Sequence, residues 1–191
     1  MKIKQAQKLT NSKWLNLFEV HYADRNGADK SWQLATRAEE PKCVSGRFEQ
    51  PDAVIIVALH RSEGKLVITR EYRVALGGYE YGFPAGLVDQ GETPQAAAAR
   101  ELMEETGLTL TRVLRTSPAL YSSAGLTDES VAMVYAECDG KPTTRNTSDS
   151  EVIDVMLLSR EEASRLCRRK NLKFDAKAWL VISGFADGGR I

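Results

Sequence analysis

The sequence has few of the residues that build zinc sites, disulfide frameworks or histidine-based active sites. Three cysteines occur among 191 residues, at positions 43, 138 and 167, and the two histidines are His21 and His60. None of these residues forms a close pair, which argues against a zinc centre and against a disulfide framework. We therefore expect reduced, partly buried cysteines, and each histidine is more simply explained as a structural residue than as a general base.

An excess of charge of one sign is also missing, and so are long apolar segments. The 26 Lys and Arg residues balance the 26 Asp and Glu residues, which argues against a broad basic surface for nucleic acid. The longest uninterrupted apolar run, residues 53–59, is too short to span a membrane, and the first residues lack the apolar stretch of a secretory signal. The sequence therefore predicts a cytoplasmic protein without nucleic-acid or membrane partners.

Hydrophobic patterns and turn residues predict a chain of strands with three helices. The predicted strands cover residues 14–23, 31–36, 53–59, 65–70, 113–120, 131–138 and 152–158. The first predicted helix begins after the Thr93-Pro94 pair and ends at Gly107, and two further helices are predicted over 161–170 and 175–185. The length allows one main domain with at most a small added element.

Three glutamates lie on one side of the helix predicted to end at Gly107. At 100° per residue, Glu101, Glu104 and Glu105 share an arc of roughly 100°. The opposite side carries the residues that we expect to be buried, namely Ala99, Leu102, Met103 and Thr106. Like charges at this spacing repel, whereas a divalent cation would bring them together. Carboxylates without neighbouring His or Cys favour Mg²⁺, with Mn²⁺ as second choice, and a solvated acidic face is the alternative.

The segment that contains this helix carries a complete sequence signature. Residues 86–108, GLVDQGETPQAAAARELMEETGL, match without a gap the pattern G-x5-E-x7-R-E-U-x-E-E-x-G-U, where U is aliphatic. The pattern resembles that of the Nudix hydrolases. This resemblance implies an α/β/α sandwich around a mixed β-sheet, and hydrolysis of a diphosphate that is linked to a further group.

The resemblance also implies roles for individual residues. Glu101, Glu105 and the Ala85 carbonyl are expected to bind the metal, and Glu104 is expected to bind metal or to orient water. Arg100 is expected to fix the preceding loop against the helix through Glu92.

Residues outside the signature are similar to the ADP-sugar pyrophosphatase branch, which includes the ADP-ribose pyrophosphatases. The run 67–86, VITREYRVALGGYEYGFPAG, resembles its arginine-bearing turn, and Trp14, Trp32 and Arg37 fit its W-x17-W-x4-R pattern. The resemblance implies that a tryptophan stacks on the nucleobase across a dimer, whereas packing in the core is the alternative. Forked guanidinium groups suit a diphosphate, so Arg37, Arg70 and Arg73 are substrate-binding candidates.

A late glutamate completes the predicted site. Glu151, in SDSEVIDV, stands where the branch has the glutamate that accepts from the attacking water and sometimes touches a metal. Glu129 is the alternative for this role. The chain departs from the branch at Ala124, where a proline is usual, and at Gly82, where a glutamate is usual and Glu80 could substitute.

The sequence therefore predicts a Mg²⁺-dependent hydrolase of a nucleoside diphosphate sugar such as ADP-ribose. We divide the chain into a small antiparallel β-sheet element, residues 1–47, for dimerisation and base binding, and a hydrolase domain of mixed α/β structure, residues 48–191. A homodimer is expected. The alternatives are hydrolysis of dinucleoside polyphosphates, NADH, oxidised nucleotides or a capped RNA end, and a non-catalytic nucleotide-sugar sensor.

Overall fold

The chain divides into two compact units. The computed structural model describes residues 1–145 and 152–191. The first unit consists of residues 1–52 and 118–131, and the second of residues 53–117 and 132–191. The predicted boundary after residue 47, and the dimerisation role of the residues before it, stay predictions.

A three-stranded antiparallel sheet forms most of the first unit. Its strands, in spatial order, are β1 (Lys2–Lys8), β2 (Asn16–Ala23) and β3 (Asp29–Thr36). The Asp24 carboxylate accepts the backbone N–H of Asn26 and Ala28, and Gly27 takes a φ of 84° that a β-branched residue would resist. The β2–β3 hairpin is therefore confirmed. The polar strand β1 was not predicted, because only its pairing with β2 makes it a strand.

A buried lysine joins the two segments of the first unit. Lys42, at the start of the short helix α1 (Lys42–Ser45), donates from Nζ to Asp52 Oδ2 at 2.5 Å and to Ser130 Oγ at 2.7 Å. The Ser130 N–H donates to the same Asp52 oxygen, and the Lys42 N–H donates to Asp128 Oδ2. The Lys42 side chain is buried whereas that of Asp52 is 31% exposed, so removal of Asp52 would leave a buried ammonium with one partner fewer and would destabilise the unit.

In the part of the chain that the structure describes, the other elements are a nine-stranded mixed sheet and three longer helices. The strands are β4 (Ala53–His60), β5 (Lys65–Arg73), β6 (Gly78–Gly82), β7 (Ala85–Leu87), β8 (Thr109–Thr116), β9 (Leu120–Tyr121), β10 (Ser130–Asp139), β11 (Ile153–Leu158) and β12 (Lys173–Phe174). The helices are α2 (Pro94–Thr106), α3 (Arg160–Arg168) and α4 (Ala176–Gly188). The order is β12-β6-β5-β4-β10-β8, with β11 beside β5, β7 beside β4 and β9 beside β10. The α/β class with a mixed sheet and a small antiparallel sheet is confirmed.

Helix α2 begins and ends where its sequence predicts. The Thr93 hydroxyl accepts the Ala96 N–H, Pro94 occupies the first turn, and Gly107 closes the helix with a φ of 67°. The residues that α2 buries are Ala97, Ala98, Leu102, Glu105 and Thr106. The prediction that Ala99 and Met103 are buried is wrong, since both are exposed. The buried face is rotated so that Glu105 lies within it, where its carboxylate has a backbone partner.

The remaining predicted elements are mostly confirmed. Helices α3 and α4 match the two predicted after residue 160, and Ser159 with Glu162 forms a capping box on α3. The prediction of a continuous strand over 113–120 is wrong. Strand β8 ends at Thr116 and is followed by Pro118, which has no N–H to donate to a neighbouring strand.

The three cysteines are free, and His60 is buried with Nε2 bonded to the Gly140 carbonyl. Within the described ranges, every helix is too short or too polar to cross a membrane.

Candidate active site

Arg100 fastens the loop between β7 and α2 to the helix. Its Nη2 donates to Glu92 Oε2 at 2.9 Å and to the Leu87 carbonyl at 3.0 Å, and its Nε donates to Glu92 Oε1 at 3.2 Å. The hydrogen bonds from Arg100, and then that from the Asp89 N–H, lower the pKa of Glu92. The hydrogen bonds to Glu92, and then that to Glu101, raise the pKa of Arg100, so that Arg100 and Glu92 are both charged at neutral pH. The loop is held by the pair that the signature predicts.

Two of the three glutamates of α2 reach the same short strand. Glu105 is buried and its Oε2 accepts the Ala85 N–H at 3.2 Å. The Glu101 carboxylate lies against Gly86, where an added Cβ would meet it at 1.9 to 2.3 Å. Only glycine fits at this position without displacing the carboxylate. Arg100 Nη1 donates to Glu101 Oε1 at 2.7 Å.

The donor chemistry at β7 fits a hard divalent cation. Glu101 and Glu105 supply carboxylate oxygens beside the Ala85 backbone, and neither histidine nor cysteine takes part in the contacts described for them. Glu104 is more exposed and lies 3.5 Å from Arg100 Nη1. Among residues 1–145 and 152–191, no set of three or more His, Cys, Asp or Glu side chains is arranged as a ready-made metal cluster. Glu101 and Glu105 are candidates by their chemistry and by their approach to one strand, whereas Glu104 is a candidate by its chemistry alone.

A cavity in the second unit opens beside Ala85. It is lined by Ile55, Thr69, Glu71, Arg73, Glu80, Gly82, Phe83, Ala85 and Asp175. Thr69, Glu71 and Arg73 alternate along β5 and therefore share one face of the strand. Arg73 Nη1 lies 2.9 Å from Glu71 Oε1, and its Nε lies 3.5 Å from Glu80 Oε2. The structure thus brings Arg73 together with Ala85.

Arg70 occupies the other face of β5. Its Nε donates to Asp154 Oδ2 at 2.8 Å, and its guanidinium lies 4.4 Å from the centre of the Tyr79 ring. It is not among the described residues that line the cavity. The pairing with Asp154 raises the pKa of Arg70 further. Its predicted contact with substrate stays a prediction.

The other substrate-binding candidates belong to the first unit. Trp14 is 70% exposed and Trp32 is 52% exposed, so neither packs in the core. Trp32 lines an apolar groove with Met1, Ile3, Val20, Tyr22, Leu34 and Cys43. Arg37 Nε donates to Glu129 Oε1 at 3.1 Å, so these two candidates contact each other. About half of the Trp32 side chain is therefore exposed at this groove.

Sequence reasoning missed two carboxylates of the cavity, and one residue that it did predict lies outside the described residues. Glu71 and Asp175 were not singled out, although the alternation of β5 puts Glu71 on the same face as Arg73. The position of Asp175 at the start of a predicted helix indicates only a helix cap. Its Oδ1 does accept the Lys177 and Ala178 N–H groups. Glu151 lies outside the described residues, and its role stays a prediction.

The chain is similar to known proteins both in sequence and in fold. A model of the NUDIX domain matches residues 49–181. The chain is 30% identical over 185 residues to an ADP-sugar pyrophosphatase of Mus musculus, covering 90% of this chain and 81% of that protein. It is 29% identical over 194 residues to an ADP-ribose pyrophosphatase of Saccharomyces cerevisiae, covering 95% of this chain and 80% of that protein. A crystal structure of an ADP compounds hydrolase shares the fold, with a TM-score of 0.73 and 22% identity over 98% of this chain and 94% of that one.

Proposed function

Because the chain belongs to the Nudix family of hydrolases, we propose that it cleaves the diphosphate bond of a nucleoside diphosphate sugar such as ADP-ribose. The products would be a nucleoside monophosphate and a sugar phosphate. The observation that carries this proposal is the approach of Glu101 and Glu105 to the Ala85–Gly86 backbone, next to the cavity that contains Arg73. The mouse and yeast relatives are named for ADP-sugar and ADP-ribose hydrolysis, which supports this substrate class.

Nudix hydrolases generally use divalent metal ions, and Mg²⁺ is the proposed ion here. Glu101, Glu105 and the Ala85 carbonyl would hold it, with Glu104 as a further ligand or as the group that orients water. A bound Mg²⁺ supplies charge neutralisation at the phosphoryl oxygens and lowers the pKa of bound water.

The protein's own residues would bind and orient the diphosphate. Arg73 presents a guanidinium in the cavity beside Ala85, and guanidinium groups match pairs of phosphate oxygens. Arg100 and Glu92 keep the loop before α2 in place, so that Glu101 stays close to Gly86. Glu151 is proposed to accept the proton of the attacking water, with Glu129 as the alternative.

The base is proposed to bind at the exposed tryptophans of the first unit. Trp32 offers an aromatic face at the apolar groove, and stacking on a base contributes about 1 to 3 kcal/mol. The uncovered apolar side chains around it support a homodimer in which a second copy buries them. The three free cysteines support the proposed cytoplasmic location.

The test is a Mg²⁺-dependent screen with identification of products by mass. The substrates are ADP-ribose, GDP-mannose, UDP-glucose, NADH and diadenosine polyphosphates, and we expect the fastest turnover for a nucleotide sugar. ADP-ribose should give AMP and ribose 5-phosphate. Preferential cleavage of diadenosine polyphosphates or NADH would contradict the substrate class, and binding without any product would favour a nucleotide-sugar sensor.

A further inference from the structure

The register of β5 and β6 decides which side chains surround Arg73. Gly78 stands opposite Arg73 and has no side chain, so the neighbours of Arg73 on its own face lie along the strands. These neighbours are Glu71, two residues earlier on β5, and Glu80, which stands opposite Glu71 on β6. Long side chains reach such diagonal neighbours in an antiparallel pair. The register therefore brings one guanidinium together with two carboxylates.

The two carboxylates contact different nitrogens of Arg73. Glu71 Oε1 lies 2.9 Å from Nη1, and Glu80 Oε2 lies 3.5 Å from Nε. The remaining nitrogen, Nη2, takes part in neither of these ion pairs. Because a guanidinium carries five N–H donors in one plane, it can be held through two nitrogens and keep donors for a phosphate.

The carboxylates are more enclosed than the guanidinium that they contact. The side chains of Glu71 and Glu80 are 19% and 21% exposed, whereas that of Arg73 is 46% exposed. An arginine side chain has many rotamers, and fixing it when a ligand binds costs conformational entropy. Contacts that already limit these rotamers before binding reduce this cost.

The facing glutamates also have an energetic cost for the sheet. Carboxylates directly opposite each other destabilise an antiparallel pair, and one carboxylate is sufficient to form an ion pair with an arginine. The second carboxylate therefore points to a role other than stability. Glu80 and Arg73 both line the cavity beside Ala85, where the diphosphate is proposed to bind.

We propose that Glu80 is a positioning residue, which holds the Arg73 guanidinium in the cavity so that it is ready to bind the diphosphate. This inference rests on the proposed function, because it takes the diphosphate to lie beside Ala85. Glu80 acts through its contact with Nε of Arg73. Charge alone predicts the opposite role, because a carboxylate that only repels phosphate weakens binding. Removal of the Glu80 charge therefore distinguishes the two roles by the direction of its effect.

The test is a double-mutant cycle on the binding of α,β-methylene ADP-ribose, in which a bridging carbon prevents hydrolysis of the diphosphate. Titration calorimetry with Mg²⁺ gives dissociation constants for the wild type, Glu80→Gln, Arg73→Ala and the double variant. Glu80→Gln should raise the constant about fivefold when Arg73 is present, because the guanidinium must then be ordered on binding. In the Arg73→Ala background the same substitution should cause no increase. An equal change in both backgrounds, or tighter binding by Glu80→Gln, overturns the positioning role.

A second measurement reports on Arg73 without a ligand. NMR relaxation of the Arg73 Nε–H group, identified by the loss of its signal in Arg73→Ala, should show more motion in Glu80→Gln than in the wild type. Equal motion in the two proteins overturns the positioning role. A wild type that does not bind the analogue contradicts the proposed substrate class alone, because the motion of Arg73 is measured without it.

A matched control separates the contact with Arg73 from a general change in charge. Glu63→Gln removes the same charge from a residue that pairs with Lys65 in the β4–β5 turn and lies outside the cavity lining. Both measurements should stay at the wild-type value in this variant, and a change as large as that of Glu80→Gln would overturn the assignment to Glu80. Thermal unfolding checks that the variants fold.

Discussion

Two regions of the molecule differ in how their side chains find contacts. One is helix α2 with the loop before it, and the other is the three-stranded sheet of the first unit. Around α2, charged groups find partners within the same stretch of chain, as Arg100 does with Glu92, Glu101 and the Leu87 carbonyl. On the sheet, large apolar side chains such as Ile3 and Trp32 stay exposed around a groove. The first region therefore pairs its charged groups within its own stretch of chain, whereas the second leaves large apolar side chains exposed to solvent.

The strongest test of this contrast removes one charge from α2 without changing its shape. Glu105→Gln keeps an oxygen that can accept the Ala85 N–H, so the fold should survive. We expect kcat to fall by at least about 100-fold, because the variant weakens an oxygen donor for the cation. Circular dichroism and Mg²⁺-dependent turnover measure the two effects. Turnover within threefold of the wild type would remove Glu105 from the proposed metal site.

A second test inserts one methyl group between strand and helix. In Gly86→Ala the new Cβ would overlap the Glu101 carboxylate, which must move away from β7, and we expect turnover to fall by about 10- to 100-fold. Gly184→Ala is the matched control, because a Cβ there meets nothing within 4 Å. This control lies inside α4 and should raise the free energy of unfolding by about 0.5 to 1 kcal/mol with unchanged turnover. Equal turnover in both variants would show that Glu101 does not need its place against Gly86.

The contrast also shows what could be predicted from the sequence. The ends of α2 follow from Thr93, Pro94 and Gly107, whose effects are local, and the Arg100–Glu92 contact spans eight residues. Strand β1 and the meeting of Glu71 with Glu80 depend on pairing between distant segments, which no local pattern specifies. The buried face of α2 was misjudged because Met103 is apolar yet exposed, while Glu105 is charged yet buried on a backbone partner.

On the three-stranded sheet, the expected effect is on binding rather than on turnover. Trp32→Ala should raise KM for a nucleotide sugar by about tenfold with little change in kcat, since a stacked base loses about 1 to 3 kcal/mol. Stability should change little because the ring is 52% exposed. Trp179→Ala, on α4, is the control and should leave KM unchanged. Light scattering of the wild type should give twice the mass of the chain. If the wild type is instead a monomer and Trp32→Ala has an unchanged KM, the proposed role of this surface in dimerisation and base binding is contradicted.

The smallest expected effect concerns acid stability around α2. Because the pKa of Glu92 is lowered in the folded chain, its contact with Arg100 stabilises the fold above the unfolded-state value of about 4.3, and this contribution is lost as pH falls through the lower folded value. Glu92→Gln should therefore show a smaller fall in Tm between pH 6 and pH 3 than the wild type. Parallel Tm curves for the two proteins would show that the contact adds nothing to acid stability.

The buried Lys42 has a consequence for how this architecture can be inherited. It ties residues 1–52 to the segment 118–131, which the chain reaches only after passing through β4 to β8. The first unit is therefore not a detachable module that a gene could gain or lose at a single junction. A shuffling event or a deletion of residues 1–47 would remove Lys42. Asp52 and Ser130 would lose the ammonium group that they share, and Asp128 would lose a backbone N–H donor. Exchange of this unit between relatives would require residues 1–52 and 118–131 to be replaced at the same time.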